Sequence, residues 1–145
     1  MALAPAGIAV RPAMAGDEGG PIFSGRDDGV AIKGADPVAY HTQGKAVQGV
    51  PEHSTTWSGR TWHFASAENR ERFEADPARY APRYGGFCAY AAAQGQKVKI
   101  EPEAWSIVDG RLYLNYDLNV RERWDANQAE YIAAADRRWP KIAAE

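Results

Sequence analysis

Hydrophobic and polar positions change period several times along this chain, and each change marks an element. Val30-Ala31-Ile32-Lys33-Gly34 is a short apolar run ended by glycine, and it reads as a first strand. Asp36-Pro37-Val38-Ala39-Tyr40 follows as a turn into an extended piece or short helix, with Asp36 as cap and Pro37 in a first helical position. Gly44, Gly49 and Pro51 mark loops. Thr55–Trp57 and Thr61–Phe64 are rich in β-branched and aromatic residues, and Ser58-Gly59-Arg60 between them predicts a hairpin with a three-residue connection. In the second of these strands Trp62 and Phe64 share one face, and Thr61 and His63 the other.

The period then lengthens. Ser66 caps a helix over Ala67–Ala75, Glu68 lies in its first turn, and Asp76-Pro77 ends it and starts a second short one at Ala78–Tyr80. Alanines after Cys88 predict a short helix to Ala93, with Gly95 ending it. Trp105–Val108 and Arg111–Asn115 flank Asp109-Gly110, the dipeptide of a type I′ hairpin turn. Leu112, Leu114 and Tyr116 there alternate with Arg111, Tyr113 and Asn115. A last helix is predicted over Val120–Ala135, started by Asn119 and Glu122 and carrying Val120, Trp124, Tyr131 and Ala135 on one stripe, before Trp139-Pro140 closes the domain. No internal repeat is visible at this level. The pattern predicts one α+β domain over residues 26–145, with short antiparallel β-hairpins packed against a long C-terminal helix and two or three shorter helices.

Residues 1–25 read as a flexible leader or signal remnant. Ala2–Val10 is mildly apolar and Ala13-Met14-Ala15-Gly16 resembles a cleavage site, although Pro5 breaks the run and no basic residue precedes Arg11. The hint favours a periplasmic or secreted protein. Composition narrows the choice of partners. A net charge of −2 argues against a nucleic-acid binder, and no run approaches the ~18 apolar residues of a membrane span. A metal ion or small ligand is the expected partner. One cysteine excludes an intramolecular disulfide and every site built on paired cysteines.

That cysteine, Cys88, sits in Tyr84-Gly85-Gly86-Phe87-Cys88-Ala89-Tyr90, just after two glycines and at the start of a helix. A helix start can lower a thiol pKa. Three readings stay open: a small buried thiol, a reactive thiolate, and a soft-metal ligand. A partner for either of the last two would be His41, His53 or His63, which have no metal spacing of their own and would be joined to Cys88 only by the fold. No nucleophile elbow, phosphate loop, dinucleotide fingerprint or HExxH is present.

Ala31-Ile32-Lys33-Gly34-Ala35-Asp36-Pro37-Val38-Ala39-Tyr40, His53-Ser54, Trp57-x-Gly59-x-Thr61-Trp62-x-Phe64-x-Ser66 and Phe73-x-x-Asp76-Pro77-x-x-Tyr80 together resemble the YHS domain. The stretches around Cys88 and Trp105–Tyr116 resemble its longer bacterial members, so the likeness covers about residues 26–140. The resemblance implies kinship with TRASH-type metal-binding modules, which carry cysteines at positions matching Ala39, Ala65 and Asn69 here. It also implies export. On these grounds the expected function is binding of a soft metal, copper foremost, through Cys88 with His63, His53 or His41, since thiolate and imidazole suit Cu(I). The alternatives are a thiol-based redox or catalytic protein using Cys88, and a non-metal interaction domain with Cys88 as core.

Overall fold

The computed structural model describes residues 19–145. Most of the leader, with its cleavage-site hint, lies outside the described residues. Packed residues also precede residue 26. Ile22 and Ser24 are buried, and the Phe23 N–H donates to the Gly85 carbonyl while its own carbonyl accepts from Ile32.

Among the described residues, six α-helices and two hairpins make an α+β fold. The helices are α1 (Pro37–Thr42), α2 (Ala67–Ala75), α3 (Pro77–Tyr80), α4 (Ala89–Ala93), α5 (Leu118–Asp125) and α6 (Gln128–Ala144). The strands are β1 (Val50–Trp57) with β2 (Arg60–Phe64), and β3 (Trp105–Val108) with β4 (Arg111–Leu114), each pair antiparallel and forming its own sheet. No helix among the described residues is long and apolar enough to cross a membrane.

Several local expectations hold for the stated reasons. The Asp36 carboxylate accepts from Val38 and Ala39 at the start of α1, with Pro37 in the first turn. The Ser66 hydroxyl accepts from Asn69 to open α2. Asp109 (φ 53°) and Gly110 (φ 78°) both take positive φ, as a type I′ turn requires.

Other expectations are corrected. Val30–Gly34 is not a strand: Ala31–Gly34 is a 3₁₀ turn, with Ile32 (φ 42°) and Lys33 (φ 57°) left-handed, and only Val30 makes an isolated bridge to Thr61. The first hairpin turn is Ser58-Gly59 alone, because Arg60 already pairs with Trp57. β1 also runs back to Val50 through Pro51, tolerated on an edge strand with a bulge between Val50 and Ser54. The expected helix Val120–Ala135 is two helices. Asp117, not Asn119, caps the first by accepting from Val120 at 2.8 Å, and non-helical Asn127 separates it from the second. Their stripes read as one because Trp124 on α5 and Ala135 and Trp139 on α6 enter the same cluster. Pro140 does not stop α6, since it removes only one hydrogen bond while Trp139 and Ile142 stay buried on either side of it.

Two hydrophobic clusters form the core. One joins Ile32, Val38, Trp62, Phe64 and Phe73 to Leu112 and Leu114. The other gathers Tyr84, Tyr113, Trp124 and Trp139 over α4. β4 lies between them, so Tyr113 is buried as well as Leu112 and Leu114, and simple alternation fails there. A repeat is also present after all. The order of 3₁₀ turn, short helix, hairpin and two helices occurs once from Ala31 to Tyr80 and again from Arg83 to Ala144.

Candidate functional site

Cys88 is the N-cap of α4, one residue before the helix expected to contain it. Its backbone N–H donates to Val98, its sulfur accepts from Ala91 N at 3.4 Å, and its thiol donates to Asn115 Oδ1 at 3.5 Å. Asn115 Oδ1 also accepts from Tyr90 N at 2.9 Å, which fixes the amide's orientation. The sulfur belongs to a residue only 1% exposed. Burial pushes the thiol pKa up, and the opposing backbone N–H groups of Ala91, Tyr116 and Tyr90 do not cancel that effect. A neutral thiol is a weak nucleophile and a poor metal ligand.

The three histidines lie elsewhere. His41 stands on α1, edge-on to Tyr80 with ring centroids 5.3 Å apart, and its Nε2 is buried without a partner. His63 is buried on β2 across from Ser54, with Nδ1 unpartnered and Arg26, Asp28 and Glu52 acting on it. His53 is half-buried on β1. Burial lowers the pKa of both His41 and His63. The groups that act most on the Cys88 sulfur are Ala91, Tyr116, Tyr90 and Asp117, and none is a histidine. Among the described residues no three His, Cys, Asp or Glu side chains are grouped to hold a metal ion.

A second centre was missed in sequence beyond its role as a cap. Asp36 is fully buried. Its Oδ1 accepts from Val38 N at 2.9 Å and Ala39 N at 3.3 Å, and its Oδ2 from Ala65 N and Asn69 Nδ2, both at 2.8 Å. One carboxylate thus ties α1 to the end of β2 and to α2. Ala39, Ala65 and Asn69 are the positions where the metal-binding modules named above carry thiols. Here an internal carboxylate and amide hub occupies that ground, so these residues do not fit the metal.

A groove of about 460 Å³ lies where the two halves meet. Lys33, Gln48, Glu101 and Glu103 supply its polar lining, and Ala35, Val47 and Pro102 part of its floor. Lys33 Nζ reaches both Glu101 oxygens at 3.1 Å, and Lys99 Nζ reaches Oε2 at 2.9 Å. The paired ammonium groups hold the Glu101 carboxyl below the usual carboxylate range. Sequence gave no signal for this pair, because its partners are far apart in the chain.

Residues 38–84 match the family model of the YHS domain. The chain carries a YHS domain. The match takes in α1, the first hairpin, α2 and α3, and stops before Cys88. No curated protein and no solved structure matches the chain. The YHS segment contains the Asp36-supported helix and all three histidines, while Cys88 and Asn115 lie beyond it.

Proposed function

We propose that this YHS protein is a non-enzymatic binding module in which Cys88 is internal support and not the point of ligand contact. The observation that carries this reading is the setting of the sulfur: its residue is 1% exposed, and Sγ accepts from Ala91 N and faces Asn115 Oδ1. A soft-metal site would need that sulfur deprotonated and reached by at least one imidazole. A redox or nucleophilic role would need it exposed and acidic, which burial opposes.

Ligand contact belongs in the groove between Lys33, Gln48 and Glu101, whose volume is in the range of small-molecule sites. A small polar ligand with a charged group can replace one half of the Lys33–Glu101 pair. Titration of Cu(I) into the native protein and into Cys88→Ala tests the first part. Equal weak binding by both is expected, and a stoichiometric site lost in Cys88→Ala restores the copper reading. Amide chemical shifts during titration with glutamate and succinate test the second. Shifts gathered at Lys33, Gln48 and Glu101 support it, and shifts confined to other residues overturn it. The periplasmic or secreted location rests on the Ala2–Gly16 sequence and on the resemblance to longer bacterial YHS proteins, and cell fractionation tests it.

A further inference from the structure

We infer that residues 82–131 are a second, diverged copy of the YHS unit, and that Cys88 does in it the work that the Asp36 carboxylate does in the first. The sequence supports the first half once the hairpins are superposed. Thr55–Tyr80 and Ser106–Tyr131 align without a gap: Gly59-Arg60 recurs as Gly110-Arg111, and Arg70-Glu71-Arg72-Phe73 as Arg121-Glu122-Arg123-Trp124. Ser66 and Asp117, the two observed helix caps, fall at the same place.

The backbone repeats independently of side-chain identity. Ile32, Lys33 and Gly34 take positive φ, and so do Tyr84, Gly85 and Gly86. Each turn closes by the same hydrogen bond, Ala35 N to Ile32 O and Phe87 N to Tyr84 O. Val30 bridges Thr61 in parallel, as Pro82 bridges Leu112. Asp36 N donates to Val47 O at 2.8 Å, as Cys88 N does to Val98 O at 3.0 Å. Trp62 packs on Phe73 with centroids 5.2 Å apart, and Tyr113 on Trp124 at 5.1 Å. A β-branched residue at φ 42° would by itself suggest a strained functional site. Its recurrence in the second half assigns it to the fold.

Within this frame Cys88 stands where Asp36 stands. The N–H groups of Val38, Ala39 and Ala65 surround Asp36, and those of Tyr90, Ala91 and Tyr116, the matching residues, act on Cys88. The side-chain partner changes with the chemistry. A carboxylate only accepts, and Asn69 donates to it through Nδ2. A thiol carries a proton, and Asn115 accepts from it through Oδ1. Val120 sits where the first unit has Asn69. Cys88 is therefore a positioning residue, and it is not a survivor of the thiol positions of metal-binding modules, which match Ala91, Tyr116 and Val120 in this unit.

The inference shares with the proposed function only the reading of Cys88 as internal, and its test does not involve a ligand. Hydrogen exchange is measured on the full chain. Cys88→Ala should speed exchange at Ala91 and Tyr116 on the order of fivefold, as loss of a cap does. Cys88→Ser should restore protection, since a hydroxyl both donates to Asn115 and accepts from Ala91. Cys88→Asp should lose protection and regain it when Val120→Asn supplies the missing donor. Unchanged exchange in Cys88→Ala, or a Cys88→Asp defect that Val120→Asn fails to relieve, overturns the inference. Copper or redox activity at Cys88 would overturn the proposed function and leave these exchange rates unaddressed.

Discussion

Asp36 is the residue on which most of the first unit depends. Its two oxygens satisfy four donors from three elements, and no water reaches them. Asp36→Ala should cost about 2–4 kcal/mol, because it leaves buried donors unpaired and removes a cap. Urea unfolding of the variant measures this. His41 and His63 make a second prediction at this scale. Both have folded pKa values depressed by burial, so the unfolded chain takes up protons first as pH falls. Stability is then fully present above about pH 6.5 and is lost below it, as pH falls through the folded values. His41→Phe keeps the edge contact with Tyr80 and should flatten the curve between pH 7 and 5, measured as melting temperature against pH. Cys88 shows what a lone residue in sequence conceals. Its position at a helix start was legible, but a helix start lowers a thiol pKa only where the sulfur stays near water or a cation. Here it points into the core.

At the scale of elements, short helices depend on their caps because they have few internal hydrogen bonds. Asp117→Ala should destabilise the protein by about 1 kcal/mol, read by thermal or urea unfolding, whereas Asn119→Ala should have little effect. The turn Arg83–Gly86 depends on Gly85 more than its lysine counterpart in the first unit suggests. Gly85 has φ +63°, and a Cβ there would meet the Pro21 carbonyl. Gly85→Ala should therefore lower stability by about 1–3 kcal/mol. It should also release the Phe23 N–H from the Gly85 carbonyl, visible as faster exchange at Phe23. The hairpins and the first two helix caps were legible because each rests on a local rule: turn dipeptides with positive φ, or a hydroxyl or carboxylate before a helical run. The 3₁₀ turns were not. Ala31-Ile32-Lys33 has strand composition, and its left-handed path comes from Phe23 and Ser24 accepting its N–H groups and from burial of Ile32.

For the whole molecule, the two units are not two domains. The first cluster contains Leu112 and Leu114 from the second unit beside Trp62 and Phe73 from the first. Tyr40 packs on Trp105 with centroids 5.5 Å apart, and Lys33 pairs with Glu101. Unfolding should therefore be one transition. Urea curves followed by the fluorescence of Trp62→Phe and Trp124→Phe variants, each normalised to its own stability, should show equal cooperativity. A biphasic curve in either would mean that the units open separately. The shared core also explains why the repeat escaped the linear reading. Trp62 became Tyr113, Phe64 became Asn115 and Asp36 became Cys88, each adapted to a different neighbour. Between the hairpins and the helices after them only Gly-Arg and Arg-Glu-Arg therefore survive as runs, with Ala75, Ala78 and Tyr80 repeated singly as Ala126, Ala129 and Tyr131.

Sequence by itself determined the α+β class, both hairpins, the Asp36 and Ser66 caps and the YHS segment, since these follow from interactions within a few residues. Tertiary structure decided what those residues are for. It buried the only thiol against Asn115, placed the histidines on α1, β1 and β2, and surrounded Asp36 with donors from three elements. It also brought Lys33 to Glu101. Burial and long-range hydrogen bonds depend on which elements meet, and no local pattern in the chain encodes that meeting.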